Sequence, residues 1–327
     1  QFNAPLPKKE QVGLFTESDL QKIAFWSATG SGKTLLMHMN IKQYLHYITK
    51  AGKLKELNRI LLVTPNEGLS KQHKQEFELS GIQADYFSKQ GGRLFSRNAV
   101  EIIEISKLTE NDGDKTVAID SFETNNFVLV DEGHRGSSGA VWSKHRKKLA
   151  EDGFTFEYSA TLGQAVSSNN SLAQEYAKSI LFDYSYRYFY SDGFGKDYRI
   201  LNLADDKDEN IRQLYLTACL LTFYQQKVLF KDERSKVKQF NIENPLWVFV
   251  GGSVNAVRTE KKKKVSDIID ILLFLANFVS SVNKANIINR IEQAICGDTG
   301  LLNKQGQDIF SNMFPYLGDH MQTASQI

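Results

Sequence analysis

The eight residues Ser27-Ala28-Thr29-Gly30-Ser31-Gly32-Lys33-Thr34 constrain this chain more than any other stretch. An apolar run, Ile23 to Trp26, leads into them and reads as a buried strand. A helical pattern follows, with Met37, Ile41, Leu45 and Ile48 on one face and Gly52 as its stop. Strand, glycine loop and helix is the context that a phosphate-binding loop requires. Glycines let backbone N–H groups approach phosphate oxygens without a Cβ in the way, and the helix N-terminus adds its dipole. Gly30, Ser31, Gly32, Lys33 and Thr34 are the expected cradle for a triphosphate. Lys33 is placed to neutralise the β and γ phosphates, and the Thr34 hydroxyl to hold Mg²⁺. Ser27 stands where the first glycine of the usual G-x-x-x-x-G-K-[ST] pattern would be.

Four more apolar runs each end in a polar motif. Ile60 to Val63 ends at Thr64-Pro65-Asn66, and Val100 to Ile105 at Ser106-Lys107-Leu108-Thr109. Phe127 to Val130 ends at Asp131-Glu132-Gly133-His134, and Phe154 to Tyr158 at Ser159-Ala160-Thr161. Strands separated by helical stretches predict a parallel α/β sheet, whose ligands lie beyond the carboxyl ends of the strands. Asp131 at a strand end is suited to bind Mg²⁺ directly or through water. Glu132 is suited to orient the attacking water.

Composition excludes several classes. Apolar residues make up 41% and charged residues 24%, too apolar a balance for a disordered polyelectrolyte. The net charge of +2 gives no global field for capturing nucleic acid, so an anionic partner must be held by local sites. Two isolated cysteines, Cys219 and Cys296, make neither a disulfide framework nor a zinc site, and a cytoplasmic setting fits. The most apolar stretch, Ile268 to Val282, contains Asp270 and Asn277 and falls short of the roughly 20 residues of a bilayer span, so no membrane is expected. The start shows no signal-peptide pattern and no initiator Met, so the chain reads as processed or as an excerpt.

Together these motifs resemble those of superfamily II helicases of the DEAD/DEAH type. Ser27 to Thr34 matches motif I, Thr64-Pro65-Asn66 resembles motif Ia, and Asp131 to His134 matches motif II. Ser159-Ala160-Thr161 matches motif III, and Ser106 to Thr109 is a weaker likeness of motif Ib. The resemblance covers residues 20 to 165, and within the superfamily the wording is closest to restriction-type motor subunits, types III and I. It implies a RecA-like P-loop NTPase fold: one complete domain, residues 1–197, and the start of a second RecA-like domain, residues 198–327. It also implies ATP with Mg²⁺ as cofactors and hydrolysis of ATP. His134 would link the ATP site to motif III, with Ser159 and Thr161 as coupling residues. Thr64, Lys107 and Gly252 would lie near the sugar–phosphate backbone of a nucleic acid, expected to be double-stranded DNA. Further subunits of methylase or specificity type, in a bacterial restriction or phage-defence system, follow from the same likeness.

The second half carries weaker signals. Asp208 to Lys231 reads as one long helix, and Leu246 to Val250 as a strand that opens a motif IV-like segment ending at Ser253. Lys261 to Lys264 reads as a charge run opening a helix, Tyr184 to Tyr190 as an aromatic strand packing the core, and His145 as a surface residue. No late Q-x-x-G-R-x-x-R-like motif, which would supply transition-state arginines, is present. Glu260 and Lys262 fit only part of a nuclease pattern. An RNA helicase, or a nucleotide-binding scaffold without turnover, are the alternatives.

Overall fold

The computed structural model describes residues 12–88, 98–114, 116–132, 140–167, 170–201, 203, 208–250, 258–260, 263–265, 267–280, 282 and 284–320. They fall into two compact units, residues 1–197 and 198–327.

The first unit runs β1 (Lys22–Ser27), α1 (Lys33–Lys50), β2 (Ile60–Thr64), α2 (Glu67–Leu79), β3 (Ala84–Tyr86) and β4 (Val100–Glu104). It continues through β5 (Leu108–Thr109), β6 (Val117–Ala118), β7 (Phe127–Asp131), α3 (Ala140–Leu149) and β8 (Phe154–Ser159). It closes with α4 (Leu162–Ser167), α5 (Asn170–Ser179), β9 (Ile180–Tyr184) and α6 (Tyr186–Ser191). Seven strands form one sheet in the order β3-β4-β2-β7-β8-β1-β9, and β5 and β6 pair separately. Each pairing in the large sheet is parallel.

The central strands are apolar on both faces because helices cover both. In β2, Ile60 and Leu62 join Met37, Ile41 and Phe77 on one side, while Leu61 and Val63 join Val128, Val130, Phe122 and Leu149 on the other. The stripe predicted for α1 is observed: Met37 and Ile41 are buried, and Leu45 and Ile48 pack against the same core. Gly52 ends that helix region with φ 75°, a left-handed conformation open to glycine at little cost.

Three expectations are corrected here. The aromatic segment Tyr184 to Tyr190 is not a core strand: Tyr184 ends the edge strand β9, and Tyr186–Ser191 form helix α6, on which Tyr186, Tyr188 and Tyr190 are exposed. His145 is buried rather than at the surface, since α3 turns it and Arg146 inward. The helix expected after the basic run forms at Asp267–Phe278, but Lys263 and Lys264 lie on a strand ahead of it: Arg258–Glu260 and Lys263–Val265 (β10 and β11) form an antiparallel pair, and Lys261 and Lys262 lie outside the described residues.

The second unit contains α7 (Glu209–Asp232), α8 (Arg234–Lys238), β10, β11, α9 (Asp267–Phe278), α10 (Lys284–Cys296) and α11 (Pro315–His320). Its core joins Ala218 and Leu221 of α7 to Ile287, Ile291 and Ala294 of α10, and to Phe310 and Phe314 ahead of α11. Asp208 caps α7 by accepting from the N–H groups of Asn210 and Ile211. The strand expected at Leu246–Val250 is not formed: these residues have no regular structure, and Leu246 and Val250 are 81% and 91% exposed. An apolar run of five residues becomes a strand only where a neighbour completes its hydrogen bonds.

Candidate functional site

The phosphate-type loop hangs from the end of β1. Ala28 N–H donates to the Tyr184 carbonyl of β9 at 2.8 Å, which fixes the loop's base. Ser31 closes a turn onto the Ala28 carbonyl through its hydroxyl at 2.7 Å. Gly30 and Gly32 then adopt φ 83° and 90°, and a Cβ at either would meet nothing within 4 Å. Their freedom is needed for the backbone turn, and the space beside them is open. Gly32 is also the N-cap of α1 and offers no capping side chain, so the N–H groups heading α1 are left for another acceptor. An open cradle of left-handed glycines ahead of an uncapped helix fits a nucleotide's phosphates.

Lys33, Asp131 and Glu132 come together at the ends of β1 and β7. Lys33 Nζ donates to Glu132 Oε1 at 2.9 Å, across 99 residues of sequence. Glu132 has φ 54°, a left-handed conformation that a non-glycine residue holds only against some strain. Asp131 is 9% exposed and both its oxygens are engaged. Oδ1 accepts the Glu132 N–H at 3.0 Å, and Oδ2 lies 2.8 Å from His73 Nε2. Burial alone would raise the Asp131 carboxyl, but the hydrogen bond from His73, with Lys33 nearby, holds it below the usual range. Among the described residues no group of three or more His, Cys, Asp or Glu side chains converges on one point. A divalent cation here would therefore draw on the Thr34 hydroxyl, Asp131 and phosphate oxygens, a hard-oxygen set suited to Mg²⁺.

The remaining expected residues are distributed along the same sheet edge. Ser159 ends β8 fully buried, and its hydroxyl accepts the Thr161 N–H at 3.1 Å. Between them, the Ala160 carbonyl accepts the Trp26 indole N–H at 3.0 Å, tying this turn to β1. Thr64 is 1% exposed and shares a 2.7 Å hydrogen bond with Ser70. Its hydroxyl therefore secures the end of β2, and the exposed residue of that tripeptide is Asn66. Lys107 is exposed on the turn after β4 and pairs with Glu104 at 2.6 Å. Ser70, Tyr86, Glu104, Lys107 and Asp114 line a cleft of about 360 Å³ next to these strand ends. His134 and Gly252 lie outside the described residues.

Sequence reading missed His73. It shares the buried stripe Ser70, His73, Phe77 of α2, and that spacing of 3 and 4 was the available signal. It also missed the ion cluster beneath β8. There the fully buried Glu157 meets Lys22 at 3.0 Å, the Tyr176 hydroxyl at 2.8 Å and Arg146. Arg146 and Lys22 both reach Glu175 as well.

Residues 9–164 match the family model described as type III restriction enzyme, res subunit. No curated protein sequence matches the chain. Among solved structures, the Pyrococcus furiosus Hef helicase domain is similar over 86% of this chain and 62% of its own, with 12% identity and a TM-score of 0.37. The chain thus spans less than two thirds of that domain's length. The Sulfolobus solfataricus SWI2/SNF2 ATPase core in complex with dsDNA is similar over 88% of this chain and 70% of its own, with 13% identity and a TM-score of 0.36. Over residues 9–164, just under half of its length, the chain is thus similar to the family of type III restriction enzyme res subunits, and this stretch carries six of the seven strands of the parallel α/β sheet.

Proposed function

We propose that this chain is the ATP-hydrolysing part of a motor that moves along double-stranded DNA in a bacterial restriction or phage-defence system. The observation that carries the reading is the meeting of Lys33 with Glu132 at 2.9 Å, beside Asp131, at the mouth of an open glycine cradle. In this reading the backbone N–H groups of Gly30 to Thr34 and Lys33 Nζ bind the β and γ phosphates of ATP. Thr34 and Asp131 would hold Mg²⁺, which when bound would neutralise charge on the phosphate oxygens. Lys33 turns to the phosphates, and Glu132 orients a water in line with the γ phosphorus. The water oxygen bonds to phosphorus as the bond to the bridging oxygen breaks, and Glu132 takes the proton. Ser159 ends the strand between β7 and β1 and Thr161 lies in the turn just after it, which the Trp26–Ala160 hydrogen bond ties to β1, so both are placed to report the state of the loop. Lys107 and the cleft beside it are the proposed contact with the sugar–phosphate backbone.

The restriction-enzyme family favours DNA over RNA, and it is the ground for proposing methylase or specificity subunits as partners. A cytoplasmic setting agrees with two free cysteines and with helices that are, among the described residues, too short or too polar to cross a membrane.

ATP hydrolysis by the full chain is measured with and without duplex DNA and single-stranded RNA. The reading expects stimulation by duplex DNA, and loss of about 10²-fold or more in Lys33→Ala and Glu132→Gln. Stimulation by RNA alone turns it toward an RNA helicase, and no stimulation by any nucleic acid sinks the motor reading. A second reading, nucleotide binding without turnover in this chain alone, is favoured by the lack in this sequence of a Q-x-x-G-R-x-x-R-like motif that would supply transition-state arginines. Single-turnover hydrolysis decides it: bound ATP that remains intact supports the second reading.

A further inference from the structure

Helix α2 buries three residues on one face: Ser70, His73 and Phe77. This face serves the ends of two neighbouring strands. Ser70 bonds Thr64 at the end of β2, and one turn later His73 bonds Asp131 at the end of β7. Phe77 lies fully buried below, with ring centroids 6.2 Å from His73 and 4.5 Å from His38 of α1. The imidazole is 3% exposed and held against this aromatic floor. A polar ring so placed costs stability unless it is hydrogen-bonded. Its Nδ1 has no hydrogen-bond partner among the described residues, so the ring hydrogen belongs on Nε2, where Asp131 accepts it.

Two donors therefore grip one carboxylate. The Glu132 N–H takes Oδ1 and His73 takes Oδ2, which fixes the rotation of the group and leaves lone pairs on each oxygen. We propose that His73 is a positioning residue that holds the Asp131 carboxylate in the orientation needed for a magnesium ion or its bound water. The proposal rests on the nucleotide-site reading above. Partners that orient a ligating group typically change metal affinity by about 10- to 100-fold when removed.

The test uses the full chain and a fluorescent N-methylanthraniloyl-ATP, titrated in excess Mg²⁺ and again in EDTA. Wild type is expected to bind more tightly with Mg²⁺. His73→Ala is expected to lose about tenfold of that gain, with its affinity in EDTA unchanged. His73→Gln, whose side-chain amide carries an N–H to about the place of Nε2, is expected to recover most of it. Full Mg²⁺ gain in His73→Ala overturns the proposal, as does a His73→Gln variant no better than His73→Ala. Where His73→Ala fails to fold by thermal melting, His73→Leu replaces it: it fills the space without a donor, and a gain equal to that of His73→Gln overturns the proposal. Wild type that binds no nucleotide in either condition overturns the nucleotide-site reading and this assignment together. A wild-type gain shared by every variant overturns this assignment alone.

Discussion

Glu157 shows how far single residues can depart from their sequence-level expectation. It sits in an aromatic strand with 0% exposure, where burial alone would raise its carboxyl. The charges of Lys22 and Arg146 outweigh that, and it ends below the ordinary range. The same two cations bring Glu175 down to about 2. Arg146→Met leaves Glu157 buried with one cation fewer, and is expected to cost about 3–5 kcal/mol in urea denaturation at pH 7. Because both carboxyls are depressed in the folded state, their stabilisation is present above the unfolded value of 4.5 and is lost as pH falls toward about 2. Urea midpoints measured between pH 6 and pH 3 should therefore fall less steeply in Glu175→Gln than in wild type, and parallel curves would refute that. None of this was legible in sequence, because Arg146 lies in a lysine-rich stretch that looks like a solvated face. Lys33, Asp131 and Glu132 were legible because strand-end motifs have few other uses.

At the scale of elements, strands with two neighbours announced themselves and strands with one did not. β2 and β7 are buried on both faces and read as apolar runs. β3 and β9 lie at the sheet edges, and the apolar residues of β9 face outward in part. Leu246 to Val250 shows the converse, an apolar run without a partner strand. Helix α2 gains its definition from its start: Asn66 accepts the Leu69 N–H at 3.0 Å. Asn66→Ala is expected to cost about 1 kcal/mol in global stability, by thermal or chemical denaturation. The turn into β8 is less forgiving. A Cβ at Gly153 would lie 2.0 Å from the Asn126 carbonyl oxygen, so the strand itself must shift. Gly153→Ala should cost about 1–3 kcal/mol, and a melting temperature equal to wild type would contradict the close approach seen there.

For the whole molecule, each unit carries its own core. Phe77 belongs to the first and Phe310 to the second, and both are fully buried. Truncating a buried phenylalanine to alanine costs about 3–5 kcal/mol. Scanning calorimetry is expected to resolve two transitions, with Phe77→Ala lowering one and Phe310→Ala the other. A single transition lowered by both would refute independent cores. Much of the first unit was readable because its strands alternate with helices. In the second, α7 was readable, but the core contributed by Leu301, Ile309 and Phe310 sits in irregular chain with no period to detect. The net charge of +2 also takes a sharper meaning in the light of one contact. In the structure Lys33 is already balanced by Glu132, so an arriving phosphate exchanges one anion for another instead of answering an unmet positive charge. In the proposed reading that exchange is a safety catch. The residue that would activate water stays clamped while the cradle is idle, and only the nucleotide's own phosphates release it.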